Sequence, residues 1–246
     1  MSKVKDIRLK VIPAKIANSF VKKWHYSGKV VPNSQLHFGA FLDGKLHGVM
    51  QYGPSINKKG TIKIVEGTGW NEFLELNRMA FDDYLPRNSE SRCISISFKL
   101  ISKNAPQIKW VVSFADATQC GDGAIYRASG FKLVGITDNT ALRVNPETGE
   151  AMHVIQAHHR KMSKEFRNWD ALKGKQLKYI YLIDKSCKLT VPVIPFEKID
   201  EVGAGMYKGE KVTYKERNAP VAQGSAPDVQ SGDGVRSHPG AQIKQT

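Results

Sequence analysis

The chain has 246 residues, enough for one sizeable core or two small domains. Lysine and arginine total 37 against 23 acidic residues, a net charge of +14, and apolar residues make up 41%. That excess favours a polyanionic partner through counterion release and steering. The separated cysteines Cys93, Cys120 and Cys187 support neither a disulfide framework nor a zinc knuckle. No hydrophobic leader opens the chain and no apolar run is long enough to span a membrane, so a cytoplasmic protein is expected.

Residues 6–13 alternate Ile7, Leu9 and Val11 and read as an opening strand. Pro13 then starts a helix over Ala14–Trp24, with Ile16, Phe20 and Trp24 at fourfold spacing and Gly28 as the stop. Two alternating apolar runs around Asp43-Gly44 predict a hairpin, and turn formers fill 54–60 and 67–71. Residues 72–82 read as a strand. Phe73, Glu75, Asn77, Met79 and Phe81 then share one face, and Leu74, Leu76, Arg78 and Ala80 the other. The segment 86–92 leads into an apolar helix over 93–103.

Residues 108–114, rich in Trp and Val, suit a central strand, with Asp116 just past its end. A turn with Gly121 and Gly123 follows, then a short helix over 124–129 carrying Tyr126 and stopped by Gly130. Polar residues at the carboxyl end of a central strand commonly face a ligand crevice, which makes Asp116 and Tyr126 the first candidates for chemistry. Capping of the turn is the ordinary alternative for Asp116. Strands are expected over 132–137 and 179–183, with an irregular segment and an apolar run, 152–155, between them. From 216 to 246 the chain is Gly, Ser, Pro, Ala and Gln with few large apolar residues. It reads as a disordered tail, leaving 1–215 as the folded domain.

The order strand, helix, hairpin, strand, loop and helix, strand, short helix, strand resembles the GNAT-type N-acyltransferase fold. Ile125-Tyr126-Arg127-Ala128-Ser129-Gly130-Phe131 is similar to that family's tyrosine followed by a Gly-Phe ending. The resemblance implies an α/β (α+β) protein: a mixed, mostly antiparallel central sheet flanked by helices. In that family a glycine-rich loop holds the pyrophosphate of coenzyme A at a helix N-terminus. Here the corresponding segment, Pro86-Arg87-Asn88-Ser89-Glu90-Ser91-Arg92, has no glycine, so its backbone cannot approach a pyrophosphate as closely. Arg87, Ser89, Ser91 and Arg92 are the candidates for binding an anionic donor group, with N-capping by Ser89 as the alternative.

A narrower resemblance covers roughly residues 5–200. Lys23-Trp24-His25-Tyr26-Ser27-Gly28, Leu76-Asn77-Arg78-Met79, Phe114-Ala115-Asp116 and the 126–131 ending together are similar to the Mom DNA-modification proteins of Mu-like phages. That resemblance implies an enzyme converting adenine in DNA to a carbamoylmethyl (acetamido) adenine, which masks phage DNA from host restriction. The family's site then falls on His25, Tyr26, Arg78, Asp116 and Tyr126. Adenine's exocyclic amine is a poor nucleophile and needs an acceptor for its proton; Asp116 and His25 are the two candidates. Arg78 suits a donor carboxylate or phosphate, or a pairing with Asp116; Tyr126 suits proton donation or stacking.

The expected partner is double-stranded DNA with the target adenine flipped out. Arg160, Lys161, Lys164, Arg167, Lys173 and Lys175, with Trp169 among them, are the expected DNA-gripping residues. Acetyl-coenzyme A, another acyl or aminoacyl donor and an iron-dependent route all stay open. His158 and His159, adjacent on what reads as a strand, would face opposite ways and not share a metal. The alternatives are a coenzyme A-dependent N-acetyltransferase of a small amine or protein, and a noncatalytic DNA-binding protein on the same scaffold.

Overall fold

The computed structural model describes residues 4–118, 121–139, 142–172, 174–207 and 210–212, with backbone alone at 155, 156 and 159. Cys120, Lys173 and the segment 216–246 lie outside the described residues. In chain order the elements are β1 (Arg8–Val11), α1 (Ala14–Trp24), β2 (Leu36–Leu42), β3 (Lys45–Gly53), α2 (Lys58–Thr61), β4 (Phe73–Phe81), α3 (Ser89–Asn104), β5 (Trp110–Asp116), α4 (Ala124–Ala128) and β6 (Lys132–Asp138). Then come β7 (Leu142–Val144), β8 (Ala151–His153), α5 (Val154–His159), α6 (Ser163–Phe166), β9 (Asp170–Ala171), β10 (Lys175–Leu182) and α7 (Lys198–Glu201). They divide into two compact units, one within 1–139 and 173–211, the other including 140–172. That division falls inside the 1–215 stretch that reads from sequence as one domain.

The first unit is a seven-stranded sheet in the order β1-β2-β3-β4-β5-β10-β6. Every neighbouring pair is antiparallel except β4 and β5, which are parallel. This is the mixed, mostly antiparallel sheet that the resemblance implies. Asp43 (φ 50) and Gly44 (φ 77) both take the positive φ that a tight two-residue hairpin requires. α3 begins four residues earlier than the apolar pattern suggests, because Asn88 adopts the left-handed conformation (φ 69) and lets the helix start at Ser89. β10 reaches back to Lys175 because both of its edges are paired, to β5 and to β6.

Apolar clusters cover both faces of the sheet. On one face Tyr52, Leu76, Val111, Leu133 and Tyr179 pack with Ile94, Phe98 and Ile101 of α3. On the other, Phe73, Trp110, Val112 and Ile180 pack under Ile64 and Val65 of the β3–β4 connection, with Phe73 stacked on Trp110 at 4.3 Å. Ala17 and Val21 of α1 pack against Val49 and Ala80 on a further stretch. Ile16, placed on the buried stripe by its spacing, is exposed instead; the helix is rolled toward its small Ala17 face.

The second unit pairs β7 with β8 and β9, over a small core of Met152, Ala157, Phe166 and Trp169. The apolar run at 152–155 is only briefly a strand, turning into α5 at Val154.

Candidate active site at the split between two parallel strands

β4 and β5 stay paired only from Phe73 to Glu75 against Trp110 to Val112. Beyond that point β4 follows β3 and β5 follows β10, so the sheet opens between them. Ser113 Oγ donates to Leu76 O at 3.2 Å across the start of the opening. At the same level β4 carries a bulge: Tyr52 pairs with Leu76 and Gln51 with Arg78, leaving Asn77 as the extra residue. Leu74 and Leu76 before the bulge, and Met79 and Phe81 after it, all pack on the α3 side. Glu75 and Arg78 therefore share the opposite face, although strict alternation would separate them.

Arg78 is half-buried, with Nε donating to Lys29 O at 3.0 Å and Nη1 to Asn77 O at 2.8 Å. Burial lowers its pKa, while Tyr26, Glu75 and Tyr126 around it favour the charge. His25 closes α1 and lies against Tyr26, ring centroids 4.4 Å apart. Burial first, and the Arg78 charge second, pull the His25 pKa down to about 3. The Ser27 backbone N–H donates to His25 Nδ1 at 3.2 Å, and Ser27 Oγ stands 2.8 Å from the same atom. Nδ1 is thus an acceptor, and the neutral ring carries its proton on Nε2. His25 is consequently placed to donate through Nε2.

Tyr126 packs on Phe131 and Tyr179 at 5.2 and 5.4 Å. It is close enough to Arg78 and to Tyr52 to perturb both. Beneath it Tyr52 is fully buried, bonded to Ser97 Oγ at 2.7 Å, and burial raises its pKa. The structure thus brings His25, Tyr26, Arg78 and Tyr126 together, and adds a group that sequence reasoning did not single out. Glu75 faces Ser55, Asn77, the Ile56 amide and Arg78, and burial still raises its carboxyl above the ordinary range. Asn77 Nδ2 is buried there with no hydrogen-bond partner. A half-buried carboxyl with a raised pKa beside an arginine is the signature of an acid–base group. The signal available in sequence was the Glu75-Leu76-Asn77-Arg78 string itself; the bulge that makes it one surface was not visible.

Asp116 bonds groups outside this set: its Oδ1 accepts from the Thr118 amide at 2.9 Å and from Asn139 Nδ2 at 3.3 Å. The guanidinium of Arg78 bonds backbone carbonyls rather than Asp116. Of the candidate anion residues of 86–92, the two hydroxyls and Arg92 Nη2 bond backbone carbonyls, while Arg92 Nε is buried with no hydrogen-bond partner among the described residues. Ser89 is fully buried and donates to Pro86 O, Ser91 Oγ donates to Asn88 O at 3.2 Å, and Arg92 Nη2 donates to Lys5 O at 3.4 Å. Arg87 is exposed. Those hydroxyls do not form a pyrophosphate cradle, so the segment does not fit coenzyme A in the manner the GNAT resemblance implies.

Among the expected DNA-gripping residues, Arg160 pairs with Glu150 at 2.8 Å. Lys164 lies in α6, and the carbonyl of Arg167 accepts from Arg143 at 2.7 Å. Lys161 takes a positive φ of 59°. Trp169, expected among the DNA-gripping residues, is instead buried in the second unit's core. Lys175 belongs to the central sheet and pairs with Asp138 at 2.6 Å. His158 and His159 sit on α5, a helix, so the strand argument about them does not apply. Among the described residues, no three His, Cys, Asp or Glu side chains gather as a metal site. Cys93 is buried and its thiol pushed up to about 12, a packing residue rather than a nucleophile.

Solved N-acetyltransferases are similar in fold. They include the ribosomal-protein-S18-alanine N-acetyltransferase from Escherichia coli (TM-score 0.42, 9% identity, 72% of this chain and 94% of that one). Another is an N-acetyltransferase from Staphylococcus aureus (TM-score 0.44, 10% identity, 72% and 99%). In sequence, the methylcarbamoylase Mom of Escherichia phage Mu is 39% identical over 152 residues, 61% of this chain and 61% of that one. The chain thus matches about three fifths of that relative's length. A family model, the Mom protein family, matches residues 6–198, from just before β1 to the start of α7 and through every residue of the cluster. With that span, the chain belongs to the Mom protein family.

Proposed function

We propose that this protein modifies DNA, placing a carbamoylmethyl-type (acetamido) group on the exocyclic amine of adenine and so protecting phage DNA from restriction. The observation that carries the reading is the cluster of Glu75, Arg78, His25 and Tyr126 at the β4–β5 opening of a Mom family chain. The amine lone pair forms the new N–C bond, the donor's leaving group departs with its bonding electrons, and the amine proton passes to a carboxylate. Glu75 is the acceptor this reading selects, because it stands beside Arg78, whereas the bonds of Asp116 go to the Thr118 amide and Asn139. The new bond is to the methylene carbon of the carbamoylmethyl group, and Arg78 and the Nε2–H of His25 supply positive charge and a donor for that group's carbamoyl oxygen. Tyr26, 54% exposed and lying on His25, offers an aromatic face to a base swung out of the duplex. The net charge of +14 favours the DNA backbone as partner.

Expressing wild type, Glu75→Gln and Asp116→Ala in bacteria, and digesting host DNA to nucleosides for mass spectrometry, tests the reading. Wild type and Asp116→Ala are expected to yield modified deoxyadenosine and Glu75→Gln little or none. Absence of any modified nucleoside with wild type would overturn the function. Loss with Asp116→Ala and retention with Glu75→Gln would move the base to Asp116.

A further inference from the structure

The connection between β3 and β4 is seated firmly at its base and carries unusual residues at its tip. Ile64 and Val65 are buried in the sheet's core, and Thr190 N donates to Ile64 O at 2.9 Å. Asn33 Nδ2 donates to Pro54 O at 2.9 Å. Ser55 and Thr61, both buried, stand 3.3 Å apart through their hydroxyls, and the Asn57 side chain accepts from the Gly60 amide. From this base Ile56 projects with 73% of its surface exposed. Trp70 is 52% exposed, with Lys58 Nζ 4.6 Å from its ring, and Lys59 is exposed beside them. A loop fixed at its base thus presents an isoleucine and a tryptophan to solvent together with two lysines. Gly53, three residues before Ile56, is the strand partner of Glu75 of the candidate site, so the loop starts beside that carboxyl.

We propose that this loop is the duplex-entering element, with Ile56 as the wedge that fills the stack when the target adenine leaves it and Lys58 and Lys59 on the flanking phosphates. The inference rests on the DNA-modifying reading. Extruding a base costs unstacking energy, and apolar wedges placed between base steps are a known way to offset it. The wedge must stand next to the pocket that receives the base, and Ile56 follows three residues after Gly53, the strand partner of Glu75. Trp70 adds an apolar contact along the groove, and the two lysines give the contact its salt dependence.

The test uses the full chain and duplexes in which single adenines are replaced in turn by 2-aminopurine, whose fluorescence rises when it unstacks. Wild type is expected to bind and to raise the signal at a target position. Ile56→Ala should still bind, with the rise cut about tenfold, the loss expected when a wedge stops offsetting part of a base step. Ile56→Met should restore it. Lys59→Ala should lower the slope of log affinity against log salt by about one. Val193→Ala, another exposed aliphatic position in the same unit, should match wild type. If wild type binds and unstacks the probe while Ile56→Ala does so equally, or Val193→Ala loses as much, the wedge is overturned and the function stands. If wild type neither binds nor unstacks, both fall.

Discussion

Two groups of buried charge in the same unit meet opposite fates. Arg127 and Asp122, with 8% and 1% of their side chains exposed, form a closed set. Arg127 Nη2 meets Asp122 Oδ1 at 3.1 Å, Nη1 meets Asp122 O at 2.8 Å, and the Tyr179 hydroxyl donates to that same carbonyl. Gly123 lies so close over Tyr179 that a Cβ there would come within 2.4 Å of the ring. This is a knot that pins the turn before α4. Around Arg78 the accounts differ: the guanidinium bonds carbonyls, His25 is held neutral, the Glu75 carboxyl is raised and Asn77 Nδ2 lacks a partner. A satisfied pair in a protein interior holds structure; an under-satisfied set is tolerated where a ligand completes it.

The sharpest way to break the contrast is Glu75→Gln. Removing an acid–base group should cost about 10²–10⁴-fold in rate, read by nucleoside mass spectrometry in single-turnover assays. The same change should stabilise the protein near neutral pH. Glu75 has a raised folded pKa, so above its ordinary value the native state holds a proton the unfolded chain has lost. Stability therefore falls as pH rises through the folded value, and the glutamine variant lacks that fall. Thermal melts should show a Tm gain of about 2–4 °C for each kcal/mol recovered.

Asp122→Ala should act in the other currency. It strands the Arg127 guanidinium and should cost about 3–5 kcal/mol in chemical denaturation, while any folded fraction keeps its activity per molecule. The smallest effect is expected at Asp116. Asp116→Ala removes its turn bonds to the Thr118 amide and Asn139, worth about 1 kcal/mol in the same denaturation assay. A large rate loss without a stability loss would refute that assignment.

Most of the framework was legible from residue patterns. The Asp43-Gly44 hairpin, the Pro13-initiated helix and the Trp-Val strand follow from local chemistry that tertiary packing does not override, though that strand, read over 108–114, runs Trp110–Asp116 and takes in Asp116 itself. What stayed hidden was non-local. Alternation along β4 is correct on each side of Asn77 and inverts across it, so Glu75 and Arg78 looked like residues of opposite faces. Asp116 stands first as a candidate base because its position at the end of a central strand suits either a ligand or a turn, and its bonds to the Thr118 amide and Asn139, neither of them readable from local pattern, add the turn role. Ser89 and Ser91 looked available because a hydroxyl's partner, a carbonyl three residues back, leaves no trace in the sequence.

That same Asp116 corner bears on how the chain has been elaborated. Asn139 N donates to Gly174 O at 3.0 Å, Ala117 N donates to Lys175 O at 2.9 Å, and Gly174 lies directly on Thr118. The two ends of the excursion from 140 to 172 are thus stitched together inside the sheet before the excursion begins. Such a root lets the intervening cassette lengthen, shrink or be exchanged at little cost to the sheet, since closing a loop whose ends already meet is cheap.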